Sequence, residues 1–295
     1  MVTRFDHTVI AVRDLSAAIR AFAALGFAVS PGGKHTGRGT ENAIIRFGLD
    51  YLELLAVTDE VEARAGGLNR AALADFLREH DGGLAGYALA SQQIGADAER
   101  LRSFGMSVEG PFAMSRTRPD GTRLAWRLAV PEGVAWRRPW PFLIEWETPD
   151  ATRLAVEQPG TQPNGATGVS GVTVLVRDLE AGINLYQKGL GLTLQDRGPL
   201  PNLVAERARF SVGPRNTTID LLAPTGSGEI SQALAATGEG LYSVVLATSD
   251  LEASREYLAS AGVATTSIPA RPDALLIAPQ AALGARLEWC EQPAS

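Results

Sequence analysis

One pattern recurs four times along the 295 residues: an apolar strand, a short amphipathic helix and three further strands. The first copy, Phe5 to Val57, reads FDHTVIAV, DLSAAIRAFAALGF, AVSPGGKHTGRGT and ENAIIRFG around a glycine-rich break, and finally DYLELLAV. GVTVLVRDL in the third copy matches HTVIAVRDL of the first nearly residue for residue, and LEWCE of the fourth echoes IEWET of the second. Copies one and three therefore pair, as do two and four, so a two-unit half has been duplicated. The element order predicts an α+β fold of four βαβββ units.

Local signals support each element. Asp14 can cap the first helix, whose apolar stripe (Ala18, Phe22, Leu25 among others) ends at Gly26. A second helix, about Leu68 to His80, carries Leu73, Phe76 and Leu77 on one side and bridges to the second unit. That unit runs from GLAGYALA through a helix, then a hairpin turning at Pro119-Asp120-Gly121, and closes in PFLIEWET. EQPGTQPNGATG, from Glu157 to Gly168, has linker composition. It separates an N-terminal domain, 1–158, from a C-terminal one, 168–295.

A formal charge of -6 and a pI near 5.2 argue against a nucleic-acid surface, which needs clustered Lys and Arg. Small molecules are the expected partners. The single cysteine, Cys290, can form no internal disulfide. No apolar run approaches membrane-spanning length and the chain enters a strand almost at once, so no membrane association and a cytoplasmic location are expected. Monomer and homodimer both remain open.

Two polar residues interrupt apolar strands: His7 in the first and Glu53 in the last of unit one. A carboxylate in such a run is costly to bury unless paired, hydrogen-bonded or metal-bound. The alternatives are a backbone-bonded histidine and a glutamate paired with Arg46 or Arg127. Glu145 sits similarly in FLIEWE, with a salt bridge as its alternative role. His35 lies among glycines in GGKHTGRGT. In the hairpin, Arg123 and Arg127 share one strand face and Trp126 the other, while Arg116 lies on the preceding strand. An arginine on the pocket side would clamp a carboxylate or enolate. Trp136 and Trp140 are candidates for an aromatic lip. Nucleophile elbows, phosphate loops and H-E-x-x-H helices are not found in the sequence.

The fourfold βαβββ pattern resembles the vicinal oxygen chelate (VOC) superfamily, and PGGKHTGRGTENAIIRFGLDYLELL resembles its glyoxalase-like domain subgroup, with GG-x-H, G-T-x-N and Y-L-E-L in order. The resemblance implies two tandem VOC domains, each a cup formed by two units. It implies a divalent metal (Mn, Fe, Mg or Zn) in the N-terminal cup, held by His7, Glu53 and Glu145, with Gly86 where a second histidine is usual. Glu53 or Glu145 would serve as the catalytic base, and His35, Arg116, Arg123, Arg127, Trp126 and Trp140 would meet substrate. In the second half Gly171 and Ser243 replace His7, while Asp220 and Glu288 match the glutamates, so its metal ligands are degenerate. The expected function is a metal-dependent enzyme with isomerase, lyase or dioxygenase-type chemistry on a small oxygen-bearing substrate. The alternative is a metal-free binding or drug-sequestering resistance protein.

Overall fold

A computed structural model describes residues 1–268 and 271–292. Unit one comprises β1 (Val2–Val12), α1 (Leu15–Ala24), β2 (Val29–His35), β3 (Thr40–Arg46) and β4 (Tyr51–Val57). Helices α2 (Glu60–Ala65) and α3 (Leu68–Glu79) lead to unit two: β5 (Gly82–Ser91), α4 (Ile94–Ser103), β6 (Val108–Thr117), β7 (Arg123–Pro131) and β8 (Phe142–Trp146). After α5 (Asp150–Val156) come β9 (Ala166–Leu175), α6 (Leu179–Asn184), β10 (Thr193–Leu200), β11 (Ala205–Val212) and β12 (Thr217–Pro224). Helix α7 (Glu229–Thr237) then precedes β13 (Gly240–Thr248), α8 (Leu251–Ser260), β14 (Thr265–Ile268), β15 (Arg271–Ile277) and β16 (Leu287–Glu291). The side chains of Asp14, Asp178 and Asp250 each accept a hydrogen bond from the amide three residues on, the N-cap geometry that starts α1, α6 and α8.

Strands of the first half close into a barrel in the order β1-β4-β3-β2-β6-β7-β8-β5. The second half repeats that order, β10-β11-β12-β9-β13-β16-β15-β14, as an eight-stranded sheet. Within each unit the first and last strands run parallel, as the pairs β1–β4 and β13–β16 show. The N-terminal barrel closes where Lys34 pairs with Thr117 and His35 with Arg116.

Alternation along the strands separates two cores. Outward residues such as Leu52, Leu54 and Leu89 join Phe22, Leu101, Tyr186 and Trp289 in one hydrophobic core that spans both halves. Inward residues such as Val9, Leu55, Leu124 and Phe142 fill the barrel, with Leu73 and Leu77 of α3 packed among them. Further bonds tie the halves together: Tyr87 to Tyr186 through their hydroxyls, and Asp50, which accepts from the Val169 amide at 2.8 Å and pairs with Arg215 at 3.0 Å.

The stretch read as a linker is packed. Glu157, Gln162 and Asn164 are buried; the Ala28 amide donates to Gln162 Oε1 at 2.7 Å, and Asn164 Nδ2 donates to the Leu25 carbonyl at 2.9 Å. Its Gly and Pro content reflects the lack of regular secondary structure, while Gln162 and Asn164 satisfy neighbouring backbone groups and Glu157 pairs with Arg46, Arg116 and Arg118. Sheet pairing resumes at Ala166, two residues before the expected boundary.

Candidate active site

His7 and Glu53 meet inside the barrel because β1 and β4 run parallel, in register with His7 beside Tyr51 and Val9 beside Glu53. His7 is 3 % exposed; its ring stacks on Tyr51 at 4.5 Å and meets the edge of Phe142 at 5.4 Å. His7 Nδ1 lies 2.7 Å from Oδ1 of the fully buried Asp6, whose Oδ2 accepts from Arg4 Nη1 at 2.7 Å and Trp146 Nε1 at 3.1 Å. Burial pushes the Asp6 carboxyl up, but Arg4, the His7 hydrogen bond and Arg153 outweigh it and hold the group far below the usual carboxylate range. An ionised Asp6 only accepts, so Nδ1 carries the proton and, in the neutral ring, Nε2 presents a lone pair. Nε2 is 3.6 Å from Glu53 Oε2.

His35, at the end of β2, approaches the other carboxylate oxygen. Its Nε2 is 3.8 Å from Glu53 Oε1, its Nδ1 2.9 Å from Thr40 Oγ1, and its ring meets Trp126 edge-on at 5.8 Å. Asn42 Nδ2 donates to Glu53 Oε1 at 2.5 Å. The glycine pair before His35 makes room for this cluster. A Cβ on Gly32 would collide with the Asn42 side chain, and Gly33 sits at φ 127° with its Cα against the Thr117 carbonyl.

Burial, reinforced by Arg70 and Arg116, holds the His35 pKa well below its ordinary 6.5, so the ring stays neutral. The unfolded chain therefore takes up this proton first as pH falls. Stability attributable to His35 is complete above about pH 6.5 and declines below it, toward the lower folded-state pKa. His35→Gln should remove a slope approaching about 1.4 kcal/mol per pH unit. Denaturant titrations at several pH values below 6.5 check this, and parallel wild-type and variant curves would refute it.

These groups line a cavity of about 30 Å³ with Arg70, Arg116 and an aromatic wall of Trp126, Trp136, Phe142 and Trp146. At roughly 10–15 Å³ per water centre it holds two or three waters. Arg116 is committed: Nη1 donates to the Gly32 carbonyl and Nη2 to Glu157. Arg70 is not. It enters from the first turn of α3, is 8 % exposed, and its guanidinium has no hydrogen-bond or ion-pair partner among the described residues. Burial draws its pKa down to about 10 against the opposing pull of Glu53.

The structure thus brings together His7, Glu53, His35, Arg116 and Trp126 of the expected residues, and leaves four outside. Glu145 points out of the barrel and pairs with Arg127, because Phe142, Ile144 and Trp146 are the inward residues of β8. Ile144 beside Ala90 corresponds to Glu53 beside Val9, and Ala88, not Gly86, takes the place of His7. IEWET and LEWCE share letters but differ by one residue in phase, which turns every side chain to the opposite face. Arg123 and Arg127 lie on the exposed outer face of β7. Trp140 is half-buried, donating to the Val134 carbonyl at 3.1 Å; Trp136 forms the wall instead, donating to the Asn69 carbonyl at 2.5 Å.

Asp6, Asn42, Tyr51 and Arg70 were missed. Asn42 stood in the G-T-x-N motif, and Asp6 was a second polar residue beside His7 in an apolar strand. Arg70 follows the helical spacing of Leu73 and Leu77, a charge on an apolar face.

Among the described residues no group of three or more His, Cys, Asp or Glu side chains is already drawn together as a metal site. The chemistry of His7, His35 and Glu53 nonetheless suits a divalent ion: two imidazoles with Nδ1 engaged and Nε2 turned to one carboxylate. The equivalent acids of the second half are held by guanidinium groups. Asp220 takes both nitrogens of Arg209 at 2.7 Å, and Glu288 pairs with Arg271 and with Arg286 at 3.2 Å. Ser243, at the His7 position, is buried.

A family model described as glyoxalase-like domain matches residues 5–176 and 172–290. A hypothetical protein from Staphylococcus aureus is similar in structure, 17% identical over 98% of this chain and 99% of its own, with a TM-score of 0.70. A mutant 4-hydroxymandelate synthase from Streptomyces coelicolor is 13% identical over 98% of this chain and 92% of its own, with a TM-score of 0.65. At these identities the likeness is one of fold. No curated protein matches the chain.

Proposed function

From the premise that the chain belongs to the glyoxalase-like domain family of the VOC superfamily, we propose that its N-terminal barrel houses an enzyme site where Glu53 moves a proton on a small oxygen-bearing substrate. The observation that carries this reading is a buried carboxylate flanked by two imidazoles, each turned by a hydrogen bond at Nδ1 so that Nε2 faces it. Asn42 fixes Oε1 of Glu53, leaving Oε2 to take the proton. Asp6 and Thr40 orient the two rings, and the aromatic wall with α3 keeps bulk water out. His7, His35 and Glu53 are the residues that would hold a divalent ion, Mn²⁺, Fe²⁺, Mg²⁺ or Zn²⁺, in place of the set that included Glu145. Bound there, such an ion supplies Lewis-acid stabilisation of developing negative charge on oxygen.

Equilibrium dialysis against Mn²⁺ and Zn²⁺ tests the ligand set. One ion per chain is expected in wild type and Glu145→Gln, with affinity reduced on the order of 10- to 100-fold or more in His7→Ala and His35→Ala. Equal binding by all four proteins would remove the metal from the proposal. A second reading, a metal-free binding or sequestering protein, draws on the absence of a preformed three-ligand cluster among the described residues. It predicts that even wild type takes up no ion in the same dialysis.

A further inference from the structure

Resting on the reading of this cavity as the reaction site, we propose that its substrate is a small carboxylic acid whose carboxylate is taken by Arg70. The arginines around the cavity are otherwise engaged. Arg116 is held by the Gly32 carbonyl and Glu157, Arg46 by Glu157 at 2.5 Å and the Gly48 carbonyl at 3.0 Å, and Arg38 by the Gly66 carbonyl at 2.8 Å. Arg70 alone presents an unpartnered guanidinium to the cavity, among the described residues.

The Arg70 guanidinium opens on the cavity, so an anion entering there would replace a few waters with a charge-assisted pair. Glu53 is the nearest opposite charge on the cavity wall, yet no hydrogen bond joins the two. The lining holds two guanidinium groups, Arg70 and Arg116, and the single carboxylate Glu53, and Arg116 is already paired with Glu157. One free planar fork matches one carboxylate in bidentate geometry better than a multiply charged phosphate, which would call for several donors. The carboxylate at Arg70 then sets the carbons that follow it within the space bounded by Glu53, Trp126 and Trp136. A cavity of about 30 Å³ restricts the chain to a few carbons.

Tryptophan fluorescence reads occupancy directly, because three tryptophans line the space. Acetate, propionate and pyruvate are titrated into wild type, Arg70→Met and Arg127→Met, with acetamide, propionamide and pyruvamide as neutral counterparts. Saturable binding of at least one acid is expected in wild type and Arg127→Met. Its amide should bind on the order of 10- to 100-fold more weakly, and Arg70→Met should lose the acid by a similar factor while leaving the amide unchanged. Equal binding of acid and amide, unaltered binding in Arg70→Met, or no saturable change with any acid overturns the assignment. The outcome is separable from that of the metal dialysis. Acid binding that follows Arg70 survives a failure of the ligand set, and ion uptake that follows His7 survives a failure here.

Discussion

Glu157→Gln is expected to lower the unfolding free energy by about 3–5 kcal/mol, the range for removing one partner of a buried charge pair. Glu157 is 5 % exposed and accepts from Arg46 Nη2 at 2.5 Å, from Arg116 Nη2, and from Arg118 Nη1 at 3.0 Å. Arg46 and Arg116 are themselves buried, so a neutral amide would leave these two cations in low dielectric with no countercharge and Arg118 with Asp120 alone. Burial pushes the Glu157 carboxyl up, but Arg116 and Arg46 outweigh it and the net shift is below the ordinary 4.5. A folded-state pKa depressed in this way means that the stabilisation is present above about pH 4.5 and is lost as pH falls through the folded value. The gap between wild type and variant should therefore be widest near neutral pH and narrow in acid. Urea titrations at both ends of that range measure it. A gap below about 1 kcal/mol near neutrality would mean that the cluster behaves as a solvated surface network.

That cluster also marks where the amino-acid pattern stops being readable. Repeated strand-helix-strand spacing is a property of the chain alone, so the βαβββ units and their pairing into halves were legible. His7, His35 and Glu53 were legible for a related reason: each is a polar residue where the local period asks for an apolar or turn residue. Glu157 carried no such mark. It sits in a stretch whose Gly and Pro content suggests a linker, and only the approach of β3 and β6 gives it three guanidinium partners. Glu145 failed for a different reason. Strand residues alternate, but which parity faces the barrel depends on the neighbouring strand; the β5–β8 register puts Ile144 beside Ala90 on the inner face. Trp289 and Trp146, alike in local sequence, accordingly end in different places, one in the core shared by the halves and one beside Asp6. Arg70 was visible as a charge on an apolar helix face. Its meaning depended on α3 closing the barrel, which no local signal specifies.

The same difference in phase separates two carboxylates whose replacement should have opposite consequences. If Glu53 is the proton-transfer group, wild type should catalyse exchange of the C–H next to the carbonyl of a small 2-oxo acid with solvent deuterium, followed by proton NMR. Glu53→Gln preserves the shape of the side chain and can still accept from Asn42, but its amide cannot take a proton. Exchange should fall by about 10²–10⁴, the range for loss of a general base, with little change in the denaturation midpoint. Glu145→Gln removes only the partner of Arg127, which is 44 % exposed, a contact worth about 0–1 kcal/mol, and should leave exchange within about twofold of wild type. Were Glu53→Gln to exchange at the wild-type rate, or Glu145→Gln to lose activity with its fold intact, the inward face of the barrel would not be where the chemistry happens. Asp6→Asn provides an independent check on the His7 ring, held between Asp6 and Glu53. An asparagine can accept the Nδ1 proton but no longer compels it, so Nε2 loses its enforced lone pair. Ion affinity should then drop about 10- to 100-fold although no ligand has been touched, whereas a residue with a purely structural role would change stability alone.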